Sequence, residues 1–106
     1  MLSSLALALS NCKNKQLERI YLQNVLAADG FDQIFASLTE YNNLSEICVS
    51  DSFIGSQGCM SLSNLLQNPE SKIRKLELVN TYLDDDTIVI LSIGLMRSKN
   101  LRSLDF

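Results

Sequence analysis

Four short segments of the chain carry apolar residues at their first, fourth and sixth positions. They are Leu17-Glu18-Arg19-Ile20-Tyr21-Leu22, Leu44-Ser45-Glu46-Ile47-Cys48-Val49, Ile73-Arg74-Lys75-Leu76-Glu77-Leu78 and Leu101-Arg102-Ser103-Leu104-Asp105-Phe106. The alternation at the end of each segment has the period of a strand buried on one side. The segments begin at 17, 44, 73 and 101, so the intervals are 27, 29 and 28 residues. Between segments the apolar period changes to four. Gly30, Ile34 and Leu38 correspond to Gly58, Leu62 and Leu66, and to Thr87, Leu91 and Leu95, with Phe31, Phe35, Cys59, Leu65, Ile88 and Ile90 on the same faces. This spacing predicts an amphipathic helix in each interval. Leu5 and Leu9 share the helical phase ahead of the first segment. The predicted order is a helix, three strand–helix units and a last strand.

Local end signals agree with this order. Asp29, Ser56 and Asp85 or Asp86 precede the helices, where a side-chain oxygen caps free N–H groups. Asn42-Asn43, Asn68-Pro69 and Ser98-Lys99-Asn100 follow them, where the chain has to stop and turn. Asn24, Asp51 and Asn80 each lie two residues past a strand segment. One such unit cannot bury its apolar face alone, so units stack, with strands in a parallel sheet and helices outside. The expected division is one repeat domain or fragment over 1–106: a partial repeat helix over 1–16, full repeats over 17–43, 44–72 and 73–100, and a terminal strand over 101–106.

Four L-x-x-L-x-L segments in register, each interval holding a phased helix, resemble the leucine-rich-repeat family, in its ribonuclease-inhibitor-like class. The resemblance covers essentially the whole chain. It implies an α/β fold: a right-handed solenoid forming a short, curved horseshoe segment, with parallel strands on the concave face and helices on the convex one. The family's consensus asparagine, which hydrogen-bonds the turn backbone along the stack, is replaced here by Val25, Ser52 and Thr81. Ser52 and Thr81 are suited to part of that role, and Val25 is not. The first repeat is also about a residue short, with Ala27-Ala28 where Ile54 and Leu83 stand later.

If the leucine positions face the core, their neighbours form columns on the open face of the sheet. The expected columns are Arg19, Glu46, Lys75 and Ser103; Tyr21, Cys48, Glu77 and Asp105; and Gln23, Ser50 and Val79. Arg19, Glu46 and Lys75 alternate in charge, as a salt-bridge ladder or a contact surface would, and Tyr21 is the amphipathic anchor such a surface favours. Charge is also sorted between the two rims, with Lys13, Lys15, Arg19, Lys72, Arg74, Lys75, Arg97, Lys99 and Arg102 on segments leading into the strands and Asp29, Asp51 and Asp84-Asp85-Asp86 on segments leading out. Part of that sorting follows from helix ends, which favour acids at N-termini and bases at C-termini. These eleven face residues form the candidate partner-binding set. The resemblance implies another protein as partner, without naming it. Alternatives are a regulator of a partner enzyme, of the GTPase-activator or ribonuclease-inhibitor kind, and a structural subunit. The Leu101–Phe106 edge is expected to meet a neighbouring chain or a second copy end to end.

Composition narrows the chemistry. Nine Lys and Arg against twelve Asp and Glu give a net charge of −3, which argues against nucleic acid as partner. The absence of histidine removes imidazole-based triads and His-ligated zinc. Cys12, Cys48 and Cys59 form no CxxC pair and fall at different repeat phases, so reduced, non-ligating thiols are expected. Asp84-Asp85-Asp86 lacks the alternating ligands and the glycine of a calcium loop. No apolar run approaches the ~20 residues of a membrane span. The expectation is a non-catalytic protein without cofactor or metal, away from the membrane, in the reducing cytoplasm.

Overall fold

The computed structural model describes residues 2–13, 15–25 and 30–106. Along the chain run helix α1 (Leu2–Asn11), strand β1 (Arg19–Gln23), α2 (Phe31–Ser37), a 3₁₀ turn (Leu38–Glu40), β2 (Glu46–Ser50), α3 (Gly55–Gln67), β3 (Lys75–Val79), α4 (Asp85–Arg97) and β4 (Ser103–Asp105). The strands form one parallel sheet in the order β1-β2-β3-β4, and each helix packs on the next. Pairing is residue for residue, with Arg19, Glu46, Lys75 and Ser103 in one row and Tyr21, Cys48, Glu77 and Asp105 two positions on. The unequal intervals of 27, 29 and 28 residues are therefore absorbed outside the strands.

The period-two pattern decides which side of the sheet is covered. Ile20, Leu22, Ile47, Val49, Leu76 and Leu78 join Phe31, Ile34, Phe35, Leu62, Leu66 and Leu91 of the helices in one buried cluster. The Phe31 and Phe35 rings lie 5.9 Å apart between centroids and tilted by 31°, an i, i+4 pair on one helix face. β4 departs from this pattern. It has one neighbouring strand, and Leu104 and Phe106 remain 45 % and 54 % exposed.

The first three strands, β1 to β3, end in the same backbone device. Asn24, Asp51 and Asn80 adopt φ values of 57°, 52° and 55°, the left-handed region in which Asn and Asp are enriched. That geometry explains the small polar residue at this position of each repeat. The turns are bonded along the stack by Asn24 N–H to Ser50 O (3.0 Å), Asp51 N–H to Val79 O (3.0 Å) and Asn80 Nδ2 to Asp51 Oδ1 (3.0 Å). Ser52 takes the bridging role expected of it: its hydroxyl accepts from Val25 N–H at 2.9 Å and donates to Ser50 O at 2.8 Å. Thr81 does not. Its buried hydroxyl is without a hydrogen-bond partner among the described residues.

Helix starts differ from the sequence expectation. Ser56 lies inside the first turn of α3, whose cap position is Ile54 with no side-chain cap, because Gly55 at φ 80° turns the chain into the helix early. Asp84, rather than Asp85 or Asp86, caps α4: its carboxylate accepts from Thr87 N–H at 2.9 Å, and Thr87 Oγ1 accepts from Asp84 N–H at 2.8 Å. The bond from Thr87 N–H, together with one from Thr87 Oγ1 to the same carboxylate oxygen at 3.0 Å, holds the Asp84 carboxyl below its usual range. Asp29 and Ala27-Ala28 lie outside the described residues. At the other end of the molecule, the C-terminal end of α1 is tied down by Tyr41, just after the 3₁₀ turn, and by Lys15, between α1 and β1. Tyr41 Oη donates to Leu9 O at 2.7 Å, and Lys15 Nζ donates to Ser10 O at 3.2 Å while lying 5.4 Å from the centre of the Tyr41 ring. A lysine and a phenol thus satisfy carbonyls that a helix end leaves free.

Candidate functional site

The side of the sheet facing away from the helices carries the eleven residues singled out from the sequence, in the expected columns. They do not form a uniformly exposed surface. Tyr21 is 62 % and Val79 39 % exposed, whereas Glu46 and Cys48 are 8 % and 9 % exposed although they point the same way. β2 lies inside the sheet and its outward side chains are flanked on both sides by longer ones: Arg19 and Lys75 beside Glu46, Tyr21 and Glu77 beside Cys48. Glu46 and Cys48 accordingly form the floor of the face.

Glu46 is its electrostatic centre. Its carboxylate is hydrogen-bonded by Arg19 Nε from β1, and lies 3.7 Å from Lys75 Nζ and 3.9 Å from an Arg74 nitrogen. Lys75 also reaches Glu77 at 3.2 Å. The hydrogen bond from Arg19 keeps Glu46 ionised to lower pH than usual, and the same bond raises Arg19. The alternation of Arg19, Glu46 and Lys75 was visible in the sequence. Arg74 was not, because it stands one residue before the strand, and its reach toward Glu46 depends on side-chain length.

The Cys48 thiol is pushed up to about 11 by burial and by Glu77, so it stays protonated at neutral pH and is a poor nucleophile. Burial pushes Cys59, on α3, up to about 11 as well. Cys12 lies just past α1, so the three cysteines occupy separate parts of the fold. Among the described residues, no cluster of three His, Cys, Asp or Glu side chains is placed to hold a metal ion, and no helix is long and apolar enough to cross a membrane. What the face offers is fixed charge and an exposed aromatic ring on a hydrogen-bonded sheet.

The chain is similar to NACHT, LRR and PYD domains-containing protein 14 of Homo sapiens, at 33 % identity over 91 residues covering 86 % of this chain. It is also similar to NACHT, LRR and PYD domains-containing protein 5 of Mus musculus, at 28 % over 89 residues covering 83 % of it. The matched stretch is 8 % of the length of each relative. Both names include LRR, the leucine-rich repeat. No protein-family profile matches the chain.

Two further exposed aromatics were missed by the sequence reading. Phe53 and Tyr82 each stand three residues past the paired positions Ser50 and Val79, and are 50 % and 71 % exposed. The repeat alignment itself held the signal, since both follow the left-handed Asp51 and Asn80 by two residues. Tyr82 also has a positive φ, 58°, unlike Phe53.

Proposed function

We propose that these residues form a leucine-rich-repeat solenoid segment, with full repeats over 17–43, 44–72 and 73–100, acting as a non-catalytic protein-binding module of the cytoplasm. Its concave side is the sheet face bearing Arg19, Tyr21, Gln23, Glu46, Cys48, Ser50, Lys75, Glu77, Val79, Ser103 and Asp105. The observation that carries this reading is the open sheet face itself, where Tyr21 stands exposed beside cations held in place by Glu46. A partner meeting such a face does not have to pay the conformational entropy of ordering it. Similarity to proteins named for their leucine-rich repeats supports the same reading. Regulation of a partner enzyme is a narrower form of it.

The test begins with affinity capture and identification of partners by mass spectrometry, followed by titration of each purified candidate with wild type and with a Tyr21→Ala, Glu77→Lys variant. Weakened binding with an unchanged thermal melt supports the face. Undiminished binding by the double variant rules it out. A second contact, with a neighbouring chain or a second copy, is favoured by the exposed Leu104 and Phe106 at the edge of β4. Light scattering across a concentration series tests it, and a monomer at every concentration argues against self-association.

A further inference from the structure

All nine lysines and arginines fall within residues 13–19, 72–75 and 97–102, the stretches that lead into β1, β3 and β4. The opposite rim, where strands end and helices begin, carries Asp51 and Asp84-Asp85-Asp86 and no Lys or Arg anywhere in 50–58 or 79–90. On that rim stand the two exposed aromatics at equivalent repeat positions, Phe53 and Tyr82. The acids and rings are linked through the turns. Asn80 Nδ2 donates to Asp51 Oδ1, which ties the turn bearing Phe53 to the turn bearing Tyr82. Asp84, two residues past Tyr82, is fixed by its hydrogen bonds to Thr87.

We propose that this rim docks a lysine- or arginine-bearing segment of a protein partner, with the Phe53 and Tyr82 rings receiving its cations and alkyl stems and Asp51, Asp85 and Asp86 supplying the counter-charge. The chemistry favours this occupant over others. An aromatic face attracts a cation through its quadrupole, and long basic side chains lay their methylenes along apolar surface. A purely apolar partner would desolvate the aspartates without compensation. A phosphate-bearing partner would meet like charge with no cation on this rim to offset it. The rim residues are distinct from the eleven on the sheet face, so this proposal stands or falls separately from the one above.

The test is an NMR titration of the isotopically labelled chain with a blocked decapeptide of alternating lysine and glycine, and with its glutamate–glycine counterpart as control. Salt-sensitive shifts from the lysine peptide, concentrated in Asp51–Phe53 and Asn80–Asp86, are expected, with none from the control. Tyr82→Gly should weaken the lysine peptide roughly two- to fivefold. It should melt no lower than wild type, because glycine accepts the positive φ that tyrosine holds. The paired Asp85→Asn, Asp86→Asn variant should weaken binding and flatten its salt dependence. Shifts centred elsewhere, equal shifts from the glutamate peptide, or binding that survives Tyr82→Gly undiminished would each overturn the proposal.

Discussion

Gly94 of α4 lies directly against Ser63 of α3: a β-carbon on Gly94 would stand 2.6 Å from Ser63 Oγ, 2.7 Å from its Cα and 2.8 Å from its carbonyl oxygen. Two of those three atoms are backbone, so no rotamer change relieves the contact. Gly94→Ala gains about 1 kcal/mol of helix propensity but forces the two helices apart, and overpacking costs typically about 1–3 kcal/mol. The expected result is a lower melting temperature. Adding Ser63→Ala should restore little of it, because the Cα and carbonyl of residue 63 remain in place. Full recovery in the double variant would show that the hydroxyl alone sets the contact.

Ser52 and Thr81 occupy equivalent turn positions in opposite hydrogen-bonding states, and they should respond oppositely to loss of the hydroxyl. Ser52→Ala leaves the Val25 N–H without its acceptor and should cost about 1–2 kcal/mol. Thr81→Val removes a buried hydroxyl that has no partner among the described residues and keeps the side-chain shape, so stability should hold or rise by up to about 1 kcal/mol. Urea denaturation of both variants decides the matter. A destabilised Thr81→Val would mean that this hydroxyl is bonded in solution.

Cysteine chemistry should divide by burial. At pH 8 in native buffer, a thiol reagent should label the exposed Cys12 quickly, and Cys48 and Cys59 only as slowly as the chain opens. All three should react at once in denaturant. The thiols of Cys48 and Cys59, raised from an ordinary 9.0 to about 11, hold their protons longer in the folded state than in the unfolded one. Their contribution is complete below pH 9 and is lost as pH rises toward 11. Denaturation midpoints should therefore fall across that interval, and Cys59→Ala should make the fall shallower. A midpoint flat from pH 9 to 11 would contradict this.

At the acid end, Glu46 sets the sign. Its carboxyl is held below the ordinary 4.5 by Arg19 first, and then by Lys75 and Arg74, so its stabilising effect is present above that value and disappears as pH falls through the lowered one. Glu46→Gln should be less stable than wild type at pH 7 and show a shallower loss on acidification. Asp84, also lowered, leaves a residual slope in the variant. Curves from the two proteins that stay parallel from pH 7 to 3 would remove Glu46 from this role.

Much of this arrangement is legible in the sequence. Strands announce themselves with period two and helices with period near four, so the change of period located β1 to β4 and ordered the columns from Arg19 to Ser103. Asn24, Asp51 and Asn80 marked their turns because few other residues tolerate a left-handed backbone. What stayed hidden depends on neighbours brought from other repeats. Glu46 and Cys48 read as exposed because alternation says which way a side chain points, not whether two longer ones flank it. Ser56 looked like a cap until Gly55 turned the helix start earlier. Gly94 carries no spacing signal, since its meaning comes from Ser63 on the adjacent helix.

The strands pair residue for residue although 27, 29 and 28 residues separate them, and that mismatch has a consequence for how the chain can change. Helical arms that differ by up to two residues leave every column of the sheet aligned, while the outward residues lie outside the buried apolar cluster. Shape and face chemistry are thus written at separate addresses, and a lineage built on this plan can revise one surface without relearning how to fold.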